Sequence, residues 1–578
     1  MKINFRRDLR GMAVAILMLA ASAIAGKAQI VMNQIGFYPQ GKKVAVVING
    51  ALNRDFRLLD ASTKQIFYEG KLSEPIQSTN SSLVTRIADF SPFVTPGSYI
   101  IAAGMFETPA FKIERNVLHD VAVASLKGFY YQRVSMPLEE KYAGKWARPA
   151  GHPDDAVLVH PSAATKRRPA GTIISAPGGW YDAGDYNKYI VNSGITMGTL
   201  LSAYEDFPQY YERLDIAIPE TGNGAPDLLN EIAYNLRWML AMQDPGDGGV
   251  YNKLTNASFD GMTARPGETK EPRYVVQKGT AATLDFAAVT AQAARVYGTY
   301  PQVYRGLADS CLKAARRAWD WAQKFPDMAY DQGAMNRTHK PEISTGGYGD
   351  RSFNDEWFWA AAELYLTTGD AKYAKTITAN ISKSPQLPSW NNVYMLGLYS
   401  LLRKQSPSFA EQLKPTLLTM ANELADAVGT SAFGVAMGRS RNDFIWGSSS
   451  VAANQGILLI NAYLQTRDSK YLTAAAGNAD YLLGRNATGY CFLTGFGHRP
   501  VRNIHHRPSA SDGIDDPVPG LLSGGPNFTA QRSDRQYYEF VEPETTFADV
   551  VGSYASNEIA INWNAPAVYL FNAVEACR

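Results

Sequence analysis

Pro226-Asp-Leu-Leu-Asn-Glu-Ile-Ala-Tyr-Asn-Leu-Arg-Trp-Met-Leu-Ala-Met-Gln243 decides the fold class. Proline opens the stretch at an N1-like position, and apolar residues recur at Leu229, Ile232, Leu236 and Leu240, one face of a helix. The same texture returns along the chain. Asn354 can cap a helix with Asp355 and Glu356 in its first turn, running through Trp357, Ala361 and Tyr365 to a stop near Gly369. Further helices are expected at 283–297, 309–323, 411–427, 451–465, 470–483 and 558–576. A long helical series joined by glycine- and aromatic-rich loops reads as a helical barrel that carries its chemistry on the loops.

Working outward toward the N-terminus, residues 30–112 change character. Val44 to Ile48 is an apolar run, short β-like segments follow at 57–59 and 65–68, and Pro96-Gly97 turns into 98–102. Several short strands in so little chain suggest a small immunoglobulin-type sandwich. No binding constellation stands out in it. Before it, Lys2, Arg6, Arg7 and Arg10 precede an apolar run from Met12 to Ala25 and the small-residue site Gly26-Lys27-Ala28. That is an export signal, too short to span a membrane. The expected division is therefore a leader at 1–28, a β-sandwich at 29–113 and a helical catalytic domain at 114–578, in a protein that is periplasmic or secreted.

Composition excludes several classes. Removing residues 1–28 takes away five basic residues and one acid, which leaves a formal net charge of −2. A near-neutral chain without a basic run argues against nucleic acid and against an anionic membrane surface. The 3 cysteines, Cys311, Cys491 and Cys577, are too few for a disulfide framework, and their spacing fits no zinc site. The 32 tyrosines and 10 tryptophans suit the flat faces of sugars, although a large core also uses them.

Two carboxylate segments lie far apart in the chain. Gly178-Gly179-Trp180-Tyr181-Asp182-Ala183-Gly184-Asp185 is followed by Tyr186-Asn187-Lys188-Tyr189. Its glycines permit a tight loop in which two carboxylates converge on one water; a calcium loop or a capping turn is the alternative. The second segment is Phe547-Ala548-Asp549, then Tyr554, then Glu558-Ile559-Ala560 and Asn564-Ala565. Glycoside hydrolysis needs one protonated and one ionised carboxyl group, and only folding could join these two segments.

The C-terminal segment resembles the second signature of glycoside hydrolase family 9, the inverting cellulase family. Leu493-Thr494, Gly497, Arg499 and Ile504-His505-His506-Arg507 resemble its first signature, with Cys491 where Ser, Thr or Val is usual. Further similarity lies in Pro219 to Asp227, in Asp355-Glu356, in Pro517 to Asn527, and in Asn33-Gln34-Ile35-Gly36-Phe37-Tyr38-Pro39, which looks like the opening of an N-terminal immunoglobulin-like domain. The resemblance implies a six-fold α/α barrel behind a β-sandwich, and an inverting endo-β-1,4-glucanase cutting cellulose-like or mixed-linkage β-glucans. It assigns Asp185 as general base, Asp182 as its partner on the water and Glu558 as general acid. His505, Arg507 and Asp549 would serve substrate binding, and Tyr348 and Trp446 would stack sugar rings. No cofactor is required and a monomer is expected. Asp355 and Glu356 match a structural calcium site in some members, with Asn391 replacing a further Asp; acids favouring the helix dipole are the competing account. Asn252 stands where a cleft histidine is common and Ser450 where some endo-acting members carry arginine. Both keep open an exo-acting enzyme releasing glucose, cellobiose or glucosamine. A glycan-binding protein without catalysis is the alternative of another class.

Overall fold

The computed structural model describes residues 29–50, 54–529 and 533–578. The expected leader lies outside the described residues. The N-terminal part is two packed β-sheets. One orders Gln29–Met32, Val44–Ile48, Val84–Asp89 and Ile76–Gln77; the other orders Gly36–Phe37, Phe111–Ile113, Gly97–Ala103, Asp55–Asp60 and Ile66–Lys71. The apolar run at 44–48 now has a reason. Successive strand side chains point to opposite faces, so Ala45 and Val47 enter the sandwich core. Val44, Val46 and Ile48 enter the core of the helical domain instead. One strand thus serves two cores, which a strand with a solvated face could not do.

Polar bonds fix the two parts together. Gln34 N–H donates to the Leu483 carbonyl (3.0 Å), Asn33 Nδ2 to Asp480 Oδ1 (2.8 Å), and Thr85 Oγ1 to the Ala432 carbonyl (2.6 Å).

Among the described residues the helical part holds six helices buried on nearly all sides: Ile190–Asp206, Thr280–Tyr297, Asn354–Thr368, Tyr394–Arg403, Ser448–Thr466 and Ile561–Ala576. Around them lie helices with one solvated face, among them Asp227–Ala241, Leu307–Lys324, Pro407–Ala427 and Ser469–Leu482. Close crossing of the inner helices needs small residues. A Cβ on Gly198 would meet the Trp359 ring at 2.4 Å, and one on Gly456 the Leu570 side chain at 2.6 Å. The whole is an (α/α)6 barrel behind an immunoglobulin-like sandwich.

Three sequence expectations shift. Helix 227–241 begins after Pro226, which occupies the cap position instead of the first turn. Asn354 is the first residue of its helix and does not cap it; Phe353 holds the cap position and makes no side-chain cap bond. The helix expected at 558–576 starts at Ile561, since Glu558 is held extended in a parallel bridge with His505. The helices at 119–131 and 190–206 were not anticipated. Neither was a five-stranded sheet ordered Ile173–Ile174, Val157–Val159, Arg273–Val275, Lys253–Asn256, Lys188–Tyr189.

Candidate active site

Backbone hydrogen bonds stitch three distant loops into one site. Ile561 N–H donates to the Asp182 carbonyl (2.8 Å), Arg507 N–H to that of Gly184 (3.1 Å), and His505 N–H to that of Asn557 (2.9 Å). Gly184 is required here: a Cβ would sit 2.2 Å from the His505 carbonyl oxygen. The loop is anchored from behind by Trp180, whose Nε1 donates to Glu231 Oε1 (2.8 Å); Glu231 also pairs with buried Arg133 at 2.9 Å.

Each carboxylate of the 182–185 loop receives two donors. Asp182 Oδ1 accepts from Asn192 Nδ2 (2.7 Å) and its Oδ2 from the Tyr348 hydroxyl (2.8 Å). Asp185 Oδ2 accepts from Asn187 Nδ2 (2.6 Å) and the Tyr189 hydroxyl (2.9 Å). Burial, and then the neighbouring Asp185 charge, raise the Asp182 pKa well above the carboxylate range. Burial likewise pushes Glu558 up to about 8, helped by the charges of Asp185 and Asp182 and opposed by Arg507 and the Gly184 amide. Glu558 therefore keeps its proton at neutral pH, and paired acids share its electrostatic neighbourhood.

The expected substrate residues divide by position. His505 Nδ1 faces the Val551 carbonyl (2.8 Å), so Nδ1 carries the hydrogen and Nε2 is the acceptor; burial lowers its pKa. The Arg507 guanidinium is engaged by protein, with Nη1 donating to the Gly184 carbonyl (2.7 Å) and Nε to that of Asp260 (2.9 Å). Asp549 accepts the Arg502 and Asn503 amides (3.0 and 2.7 Å) and lies at the surface. Tyr348 adopts φ +47° and packs edge-on against Tyr189 and Trp390 at 4.9 and 5.4 Å. Trp446 is 38% exposed and its ring lies 5.5 Å from that of Tyr554. Of the two departures, Asn252 is buried against the Gly347 carbonyl, and Ser450 Oγ turns back to the Gly447 carbonyl (2.8 Å).

Sequence reasoning missed the residues that hold the loop. Asn187 and Tyr189 alternate with Lys188 across the strand at 188–189, so the first two face Asp185. Lys188 faces the opposite way, to Asp154 at 2.7 Å and to the Ala176 and Gly178 carbonyls. That period-two signal was visible in Asp185-Tyr-Asn-Lys-Tyr189. The Arg273–Asp154 pair (2.7 Å) and the Gln132–His506 contact (2.9 Å) join residues 119 and 374 apart, with no local signal.

For the implied calcium, buried oxygens without partners do occur near Asp355 and Glu356: Glu356 Oε2, Asp350 Oδ2 and both of Asp285. Among the described residues, however, no three acidic, His or Cys groups converge as a metal site. Asp355 Oδ2 is taken by the Val393 amide (2.8 Å), and Asn391 Oδ1 by Ser389 Oγ (2.7 Å). The residues as arranged do not make a calcium shell, so no step below involves one.

The profile described as glycosyl hydrolase family 9 matches residues 119–571, and that of the cellulase N-terminal ig-like domain matches 25–108. The chain belongs to glycosyl hydrolase family 9. It is 45% identical to a xyloglucan-specific endo-β-1,4-glucanase of Bacteroides ovatus, over 98% of this chain and 97% of that one. It is 31% identical to endoglucanase D of Acetivibrio thermocellus, over 94% and 82%. Among solved structures, a Bacteroides ovatus family 9 protein superposes with TM-score 0.90 at 45% identity, covering 95% of this chain and 99% of that one. A thermostable endoglucanase of Alicyclobacillus acidocaldarius superposes at 0.84 and 31% identity, covering 95% and 100%. As a family 9 member of this endoglucanase group, the chain is a glycoside hydrolase that cuts β-1,4-glucans with inversion.

Proposed function

We propose that Glu558 is the general acid, Asp185 the general base and Asp182 the second carboxylate holding the attacking water. Water attacks the anomeric carbon and gives its proton to Asp185, while Glu558 passes its proton to the departing glycosidic oxygen. One observation carries this assignment: an acid held protonated to about pH 8 is stitched by main-chain bonds to a loop bearing two hydrogen-bonded aspartates. Tyr348, Tyr189, Asn187 and Asn192 orient those aspartates. Asp549 positions the 502–503 loop, and Arg507 supports the Gly184 and Asp260 backbone while offsetting the charge near Glu558. His505 Nε2 is the acceptor offered to a sugar hydroxyl, and Tyr348 and Trp446 are the aromatic surfaces offered to sugar rings.

The polymer we favour is a substituted β-1,4-glucan of the xyloglucan kind, on the strength of the similarity over nearly the whole length of both chains. Among the described residues no helix is long and apolar enough to cross a membrane. The leader-like residues 1–28 support an exported enzyme, with the sandwich at 29–113 and the catalytic domain at 114–578. The decisive experiment is a product time course on xyloglucan, barley β-glucan and carboxymethylcellulose, with Asp185→Ala as control. An early viscosity drop with mixed oligomers, lost in the control, is expected. A single small product from chain ends would overturn endo action, and undiminished turnover in the control would overturn the base assignment.

A further inference from the structure

The segment from Asn256 to Arg273 is attached at both ends to the catalytic machinery. At one end Asn256 N–H donates to Asn187 Oδ1 (2.9 Å), and Asn187 in turn holds Asp185. Further along, the Asp260 carbonyl accepts Arg507 Nε (2.9 Å). The Arg507 guanidinium lies 5.5 Å from the Phe259 ring centroid, a cation–π distance. Phe259 nonetheless stays 46% exposed. Between these attachments the segment encloses an open pocket of about 410 Å³, within the range of small-ligand sites. Its floor is rigid. Asn256 Oδ1 takes Arg273 Nη1 (2.7 Å), and Tyr274 pairs in the sheet with Thr255. Phe259, Thr269 and Glu271 also line it. One aromatic face beside hydroxyl and carboxylate groups is the donor set that a sugar ring takes, with C–H faces on the ring and hydroxyls on the polar atoms.

Position gives the pocket its meaning. Arg507 holds the Asp260 carbonyl through Nε (2.9 Å) and the Gly184 carbonyl through Nη1 (2.7 Å), so Phe259 and Asp260 lie beside the loop that carries Asp182 and Asp185. We propose that this pocket is a subsite for a branch sugar carried by the glucan chain, with Phe259 as its platform. The inference rests on the glucan-hydrolase reading above. It adds a place where a single-sugar substituent is welcomed instead of excluded.

The test compares kcat/KM on xyloglucan oligosaccharides with kcat/KM on unsubstituted cello-oligosaccharides of equal backbone length, for the intact enzyme, Phe259→Ala and Thr269→Trp. Phe259 is exposed, and a thermal melt checks that each variant folds. Losing one stacking surface should lower the branched-to-unbranched ratio about five- to tenfold. Filling the pocket by Thr269→Trp should lower it at least as much. A ratio that stays within about twofold in both variants overturns the subsite. So does an intact enzyme that cuts unsubstituted chains and not branched ones, which would leave the glucanase reading standing. Failure of the intact enzyme on every β-glucan would instead remove that reading and the subsite with it.

Discussion

Replacing Glu558 by glutamine should abolish turnover and stabilise the protein, with a pH dependence set by the site. The side chain's ordinary value is 4.5 and the folded protein holds its proton to about 8. The unfolded chain releases that proton above about 4.5, whereas the native chain keeps it. A raised carboxyl pKa therefore weakens the native state progressively as pH rises from about 4.5 to about 8, and has no effect below that window. Each pH unit corresponds to about 1.4 kcal/mol, so at pH 7 the penalty is about 3.5 kcal/mol at most. Glu558 retains some surface in the cleft, and solvent screening brings the expected value to about 1–3 kcal/mol. Gln has no proton to lose and keeps an oxygen for the Gly184 amide. The variant's advantage in denaturant should be near zero at about pH 4.5, grow to about 1–3 kcal/mol at pH 7 and level off above about pH 8. Hydrolysis of unactivated glucan should fall by at least about a hundredfold. An advantage that does not change with pH, or that shrinks as pH rises, would refute the protonated-acid reasoning even if activity were lost.

Tyr348→Phe keeps the ring and removes only the hydroxyl that donates to Asp182 Oδ2; kcat should drop about tenfold with KM within about twofold, and a KM-dominated loss would show that the ring's sugar contact matters more. Lys188→Met leaves fully buried Asp154 with only Arg273 and orphans the Ala176 and Gly178 carbonyls, so denaturant unfolding should show a loss of about 3–5 kcal/mol. Asn33→Ala removes the donor to buried Asp480 across the sandwich–barrel contact; a loss of about 1–3 kcal/mol is expected, in a single calorimetric transition if the two parts unfold together. Separate transitions would show that the shared core around Val44, Val46 and Ile48 does not couple them.

How much of this was legible depended on the range of the interactions. Helices with a complete local pattern, such as 307–324 with its solvated stripe, were readable to within a few residues. Helix 190–206 was not, because Ile190, Val191, Gly194, Ile195, Thr196 and Gly198 are poor helix formers, and it shows no polar face to offset them. The five-stranded sheet was missed because its strands are two to four residues long, below what alternation can reveal. At the site, Asp182, Asp185 and Glu558 stood out through their glycine and aromatic framing. Tyr189 and Asn187 were written beside them in period two, yet a face can be chosen only once the strand is known. Arg507 illustrates the converse: its type and motif suggested a sugar contact, whereas its guanidinium direction is decided by the Gly184 and Asp260 carbonyls, which only the fold brings there.

Inversion needs the acid and the base roughly 6.5–9.5 Å apart, wide enough for a water and a sugar carbon between them. Within the 182–185 loop each aspartate is held by its own donors, Asn192 and Tyr348 for Asp182, Asn187 and Tyr189 for Asp185. Here the acid comes from a chain segment with its own main-chain anchors. Glu558 is fixed by the bridge to His505 and by the Gly524 amide on its carbonyl at 2.8 Å, while the aspartates are fixed by Ile561 N–H and Arg507 N–H on the far side of the same loop. The gap is thus set by backbone, which yields far less than side-chain rotamers do. Shortening a carboxylate arm should therefore not be repaired by local adjustment. Glu558→Asp withdraws the acid by one methylene, and its activity on unactivated glucan should resemble that of Glu558→Gln. Activity within about tenfold of the intact enzyme would mean that the loops, not the side chain, close the distance.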